Sequence, residues 1–133
     1  MNIATVSAPQ TWTLGAAGRL RTGMMLLMRI ERWDVRRDGP LSQAALEHKL
    51  RALGYEPMLR TYPAGAIAAA QTDTRERIEA VVSGLIKVTI DGESAILTAG
   101  DIVFVPRGAA RRLEVVGTAP AYCLEAIFRT EHA

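Results

Sequence analysis

The chain holds one cysteine in 133 residues, Cys123, so no internal disulfide can form. A lone thiol fits a reducing compartment, and the cytoplasm is the expected location. Lysine is nearly absent: Lys49 and Lys87 stand against 14 arginines, and the net charge is only +2. No Lys/Arg run builds the cationic stripe that nucleic acid requires, so no nucleic-acid partner is expected. Apolar runs are short. The longest near the N-terminus, Met24 to Met28, falls far below the roughly 18 residues of a membrane span, and no membrane partner is expected. Histidine occurs only as His48 and His132, and aromatics make up 5%. Acidic residues are missing before Glu31, and all 14 lie at or after it.

The composition that is present, 49% apolar and 23% charged, describes one globular domain with one core. Residues 1–27, rich in Ala, Thr, Gly and Ser and charged only at Arg19 and Arg21, are expected to be a mobile extension ahead of a domain at 28–133. Arg19 and Arg21 before Met24 resemble the start of a signal peptide, but Arg29, Glu31 and Arg32 follow where a small-residue cleavage site belongs. Met24, Met25 and Met28 are candidate initiators if the native chain starts later than Met1, an expectation that an intact mass beginning at Met1 would refute. Asp38-Gly39-Pro40 marks a turn. Ser42 is a helix N-cap, Ala45, Leu46, Leu50 and Leu53 recur at helical spacing, and Gly54 ends the run. The expectation is a helix at 43–53 with Leu46, Leu50 and Leu53 facing the core and His48 on a solvated face. From Met58 the pattern becomes short strands: 58–62, 78–82, 85–90, 93–97, 102–105, 113–116 and 121–128. Asp91-Gly92 is a two-residue hairpin signal. Many short strands with Gly and Pro punctuation predict an all-β sandwich or barrel at about 58–128.

Two stretches carry a family resemblance. Gly100-Asp101-Ile102-Val103-Phe104-Val105-Pro106-Arg107-Gly108-Ala109-Ala110-Arg111 has the spacing G-x5-P-x-G-x2-H, with Arg111 in the histidine place. Anchored on Gly84, the spacing H-x-H-x3-E-x6-G puts Gln71, Asp73 and Arg77 at the polar positions. Tyr62-Pro63-Ala64-Gly65, Val88-Thr89-Ile90-Asp91-Gly92-Glu93, and Arg32-Trp33-Asp34 before the short helix add to the likeness. Over residues 28–128 the chain resembles the cupins, and among them small single-domain bacterial ones. The resemblance implies a jelly-roll β-barrel with one short N-terminal helix. Gly84 and Gly100 suit tight turns, and Pro106 and Gly108 end a strand so that residue 111 faces inward.

Typical cupins bind a divalent metal through three histidines and a glutamate, and this chain departs at all four places. Arginine carries no acceptor lone pair at neutral pH and cannot ligate a metal. Two arginines would also repel one. No metal cofactor is expected. Glu79 shares a strand face with Arg77 by the period of two. Gln71, Asp73, Arg77, Glu79 and Arg111 are therefore the candidate ligand-binding residues. Either Asp73 and Glu79 pair with the two arginines as a polar centre, or the guanidinium forks hold a carboxylate or phosphate of a small anionic molecule. The role expected is non-catalytic binding, or a structural or regulatory one. The rivals are a metal-dependent dioxygenase or isomerase in which Arg77 and Arg111 turn outward and Gln71, Asp73, Glu76 or Glu79 coordinate an ion, and a metal-free isomerase or cyclase. Tyr122 or Cys123 lines the interior according to strand parity, and a buried cysteine is ordinarily an inert small hydrophobe. Ala64, Ala66, Ile67, Ala68, Ala69 and Ala70 form a wall of mostly small residues. Trp33 is expected to pack the N-terminal segment onto the sheet, and Trp12 to dock on a partner subunit. The resemblance implies a homodimer formed through sheet edges or exchanged N-terminal strands.

Overall fold

The computed structural model describes residues 3–6 and 28–129. Ten strands and two helices follow in order: β1 (Ile3–Val6), β2 (Met28–Glu31), α1 (Val35–Asp38), α2 (Gln43–Ala52), β3 (Tyr55–Tyr62), β4 (Ile67–Gln71), β5 (Arg77–Ser83), β6 (Ile86–Ile90), β7 (Glu93–Leu97), β8 (Ile102–Val105), β9 (Arg111–Val115) and β10 (Ala121–Phe128). They form two antiparallel sheets, one of six strands in the order β1-β2-β8-β5-β10-β3 and one of four in the order β4-β9-β6-β7. The β sandwich expected from the strand pattern is present, in the jelly-roll form that the family resemblance implies, with two short helices where one was expected. Among the described residues no helix is long and apolar enough to cross a membrane.

The six-stranded sheet carries apolar residues on both faces, and the period of two divides them. On β5, Ile78 and Ala80 join Ile102, Leu124 and Ala126 beneath Leu46 and Leu50 of α2. Val81, on the other face, packs with Val103, Val105 and Cys123 against Ile86, Val88, Leu97 and Leu113 of the second sheet. Arg77 and Glu79 share the face of Val81, so strand periodicity alone sends both into the space between the sheets.

The helix begins where its cap signal places it: the Ser42 hydroxyl accepts a hydrogen bond from the Ala45 N–H at 3.0 Å. Its end differs from expectation. Leu53 lies past the last helical residue and is 41% exposed, because the chain turns away there through Gly54 at φ 97°. Lys49 fastens α2 to the sheet through the Glu31 carboxylate at 2.9 Å. Trp33 is half-buried with the cluster under the helix, and its indole N–H donates to the Gly39 carbonyl at 2.8 Å.

Three strands escape the sequence pattern. Ile3–Val6, inside the stretch read as a mobile extension, pair antiparallel with β2, Val6 opposite Met28. Met28–Glu31 insert between β1 and β8. The alanine-rich stretch is strand β4 at the edge of the smaller sheet, where Ala66 and Ala68 do pack on the core. Trp12 and His132 lie outside the described residues. The turn glycines of both motifs are under steric constraint. A Cβ on Gly84 (φ 97°) would lie 2.8 Å from the Ala121 Cα, and one on Gly100 (φ 89°) would lie 2.6 Å from the Trp33 Cβ. Only glycine adopts these dihedrals without strain and leaves those atoms room.

Candidate functional site

The register of β10 on β5 sets Glu125 directly opposite Glu79, on the inward face. Like charges opposite one another on a sheet face destabilise it. The facing sheet supplies the opposing charge. β9 begins at Arg111, beside Gln71 of β4 and Ile90 of β6, and its side chain enters the sandwich. Arg111 Nε lies 3.0 Å from Glu79 Oε2, and its Nη2 lies 3.3 Å from Glu125 Oε2. The same Nη2 donates to the Gln71 side-chain oxygen at 3.4 Å. Arg60, from β3, closes on the other oxygen of Glu125 at 3.1 Å.

Arg77 sits one step further along β5 and is served less well. Its Nη1 is 3.8 Å from Glu125 Oε2, beyond hydrogen-bond length, and its Nη2 reaches the Gln71 carbonyl at 3.5 Å. Its Nε is buried with no hydrogen-bond partner. Arg77 and Arg111 are each 2% exposed and Glu79 is 3% exposed. Both arginines point inward, against the outward-turned arrangement that a rearranged metal site requires.

Glu79 is unusual for a group so close to a guanidinium. Neither carboxylate oxygen accepts an aligned hydrogen bond, although Arg111 Nε is 3.0 Å away, because that N–H is directed off the oxygen. Burial therefore dominates and pushes the Glu79 carboxyl up to about 7; Arg111 opposes the shift and Glu125 reinforces it. Burial, with Glu79 beside it, also pushes the Cys123 thiol up to about 12. Burial raises the half-buried Tyr62 hydroxyl for the same reason.

Of the five residues chosen from sequence, Gln71, Arg77, Glu79 and Arg111 converge. Asp73 does not join their bonded network. Its carboxylate accepts from the Arg75 N–H at 2.9 Å and pairs with the Arg75 side chain, while its carbonyl accepts from Gly108 at 2.7 Å. It is a turn residue tying the β4–β5 loop to the turn before Arg111. Glu76 bonds the Tyr55 hydroxyl at 3.2 Å, away from the cluster. His48 is exposed on α2. The sequence reading missed Glu125 and Arg60. The parity of β10 holds the signal: if Cys123 faces inward, Glu125 does too.

These side chains do not suit a divalent metal. Glu79 and Glu125 face each other, both already opposed by arginine, and of the four motif positions two are arginines, one is an amide and one, Asp73, is turned to Arg75. Among the described residues no group of three or more His, Cys, Asp and Glu side chains is placed to hold an ion.

Beside the cluster, around the end of the six-stranded sheet where β2, β8 and β5 lie side by side, a cleft of about 220 Å³ opens. Arg77 forms part of its wall, with Arg29, Tyr55 and Phe104 among the other lining residues.

Known proteins place this architecture. A cupin protein from Bacteroides fragilis superposes with a TM-score of 0.53 at 27% identity, covering 60% of this chain and 70% of that one. A predicted oxalate decarboxylase from Thermotoga maritima gives 0.53 at 16% identity, covering 78% and 82%. A cupin domain from Schizosaccharomyces pombe gives 0.54 at 17% identity over 58% of this chain, which spans 57% of that domain's length. No curated protein matches the sequence. The cupin domain family matches residues 58–127, more than half of the chain. The chain belongs to the cupin family.

Proposed function

We propose that this cupin binds a small anionic molecule at a guanidinium-centred site, without metal and without catalysis. The observation that carries the reading is the charge balance inside the sandwich. Arg60, Arg77 and Arg111 converge on two carboxylates, and one of those, Glu79, is pushed toward its neutral form near pH 7. The centre is thus short of negative charge, and a buried cation without a full partner is unfavourable. An anion taken up from solution relieves that deficit through charge-assisted hydrogen bonds. The Thermotoga relative bears a name that points to oxalate; at 16% identity only the fold carries over, and oxalate enters here as one probe among several.

The test is a thermal-shift screen of oxalate, acetate, butyrate, succinate and inorganic phosphate against the wild type, Arg77→Ala and Arg111→Ala. Stabilisation of the wild type by at least one of these anions, weakened in the variants, supports the reading. No stabilisation by any, or equal stabilisation in all three proteins, removes it. The edge strands β3 and β4 leave Met58, Leu59 and Ile67 exposed, which favours a homodimer. Light scattering at micromolar concentration tests this, and a monomer mass contradicts it.

A further inference from the structure

The outer face of the four-stranded sheet lies open. Ile67 is 56% exposed, Ile96 50% and Leu85 40%. An antiparallel sheet with one face in water ordinarily carries polar residues on that face. Three large aliphatic side chains on one such face mark a contact surface.

Strand register sets these residues in rows. Glu114 of β9 pairs with Ile67 of β4 on one side and with Lys87 of β6 on the other, and Lys87 pairs with Ile96 of β7. One row therefore reads Ile67, Glu114, Lys87, Ile96 across all four strands. Their chain neighbours Leu113, Val115, Ile86, Val88 and Leu97 are buried inside the sandwich, so this row points outward. On one side of it Arg112 stands opposite Thr89 and Thr89 opposite Ser94, the two hydroxyls 2.8 Å apart. On the other side the Val116 N–H donates to the Leu85 carbonyl at 3.0 Å, which sets those two apolar residues next to each other.

The central row is complementary to its own reverse: an isoleucine at each end, an acid and a base between. We propose that this face binds a second copy of the chain, the two sheets stacking about a two-fold axis that runs along the strands between β9 and β6. That axis sets each Glu114 against a Lys87, each Ile67 against an Ile96, each Val116 against a Leu85 and each Arg112 against a Thr89. No like charges meet. An axis across the strands through the central row would set Glu114 on Glu114 and Lys87 on Lys87, which is unfavourable, so the charges select the orientation. Both charged groups have capacity to spare. Among the described residues Lys87 has no ion-pair partner, and Glu114 pairs with Arg112 at 3.7 Å on an exposed surface. The proposal rests on the homodimer reading above and names the surface through which the copies meet; Ile67, on the edge strand β4, belongs to it.

Four strands about 4.8 Å apart and three rows about 6.8 Å apart make a face of roughly 400 Å² on each copy. That is at the small end for a specific interface, so the dimer is expected to depend on concentration. Sedimentation velocity of the full chain over about 5 to 200 µM, the range a small interface calls for, tests the assignment. The wild type is expected to pass from monomer to dimer. Lys87→Glu and Glu114→Lys are each expected to weaken dimerisation about tenfold or more, because each sets like charges together twice across the axis. The exchanged double variant, Lys87→Glu with Glu114→Lys, is expected to restore it. Ile96→Asp, which removes the apolar contact at both ends of the row, is expected to give a monomer. All four substitutions lie on the outer face, and thermal melts by circular dichroism confirm that each variant is folded. If the single variants dimerise like the wild type, or if the exchanged double variant fails to recover, the face is wrongly assigned while the homodimer reading stands. If the wild type is monomeric throughout, both fall.

Discussion

Glu79 makes the interior of this protein sensitive to pH in a direction opposite to that of most carboxylates. Its carboxyl is pushed from an ordinary 4.5 to about 7, chiefly by burial. Between those values the folded chain keeps a proton that the unfolded chain has released. Stability therefore falls as pH rises through this window: the contribution is complete below pH 4.5 and gone above about pH 7. The shift of about 2.5 units, at 1.36 kcal/mol per unit, corresponds to about 3 kcal/mol. Asp38 and Asp73 are held below their ordinary range by hydrogen bonds, to the Arg37 side chain and the Arg75 N–H first among them, and titrate beneath this window. The perturbation is Glu79→Gln, which keeps the shape and removes the ionisation. The assay is urea unfolding followed by tryptophan fluorescence at intervals from pH 4.5 to 8. The wild type is expected to lose about 3 kcal/mol across that range, and the variant to show a much flatter profile. A wild-type profile that is flat or rises with pH, or an equal slope in Glu79→Gln, would refute the reasoning.

Other consequences follow from single contacts. Gly100→Ala sets a Cβ 2.6 Å from the Trp33 Cβ at a positive φ and is expected to cost about 3 kcal/mol or more in chemical denaturation. Ser42→Ala removes the cap of α2 and is expected to cost about 1 kcal/mol by the same measurement. Cys123 is buried with its thiol pushed up to about 12, so iodoacetamide at pH 8 is expected to leave the native protein unmodified and to label it in urea.

Much of the architecture is legible from residues that tolerate little substitution. The Ser42 cap, Asp91-Gly92, and the glycines at 84 and 100 mark turns whose backbone only particular residues adopt, and they fix the helix and the order of the strands. What escaped lacks such marks. β4 is Ile-Ala-Ala-Ala-Gln, with little β-propensity of its own, and is held by pairing to β9. β1 and β2 are short and are held by pairing, β2 to β8 and β1 to β2. At the site, the motif spacing led to Gln71, Arg77 and Arg111, and strand parity led to Glu79. Asp73 matched the spacing, yet its side chain turns to the nearby Arg75 N–H, as aspartates in turns do. Glu125 stands outside both motifs and becomes visible only through the register that sets it against Glu79.

The central proposal is that an arginine–carboxylate centre inside the sandwich takes the place of the metal that the motif spacing leads one to expect. Elemental analysis of the purified protein, before and after incubation with iron, manganese, nickel or zinc and removal of the excess, tests it most directly. The account predicts metal far below one equivalent per chain throughout. One tightly held equivalent, lost in Glu79→Gln or Glu125→Gln, would contradict it.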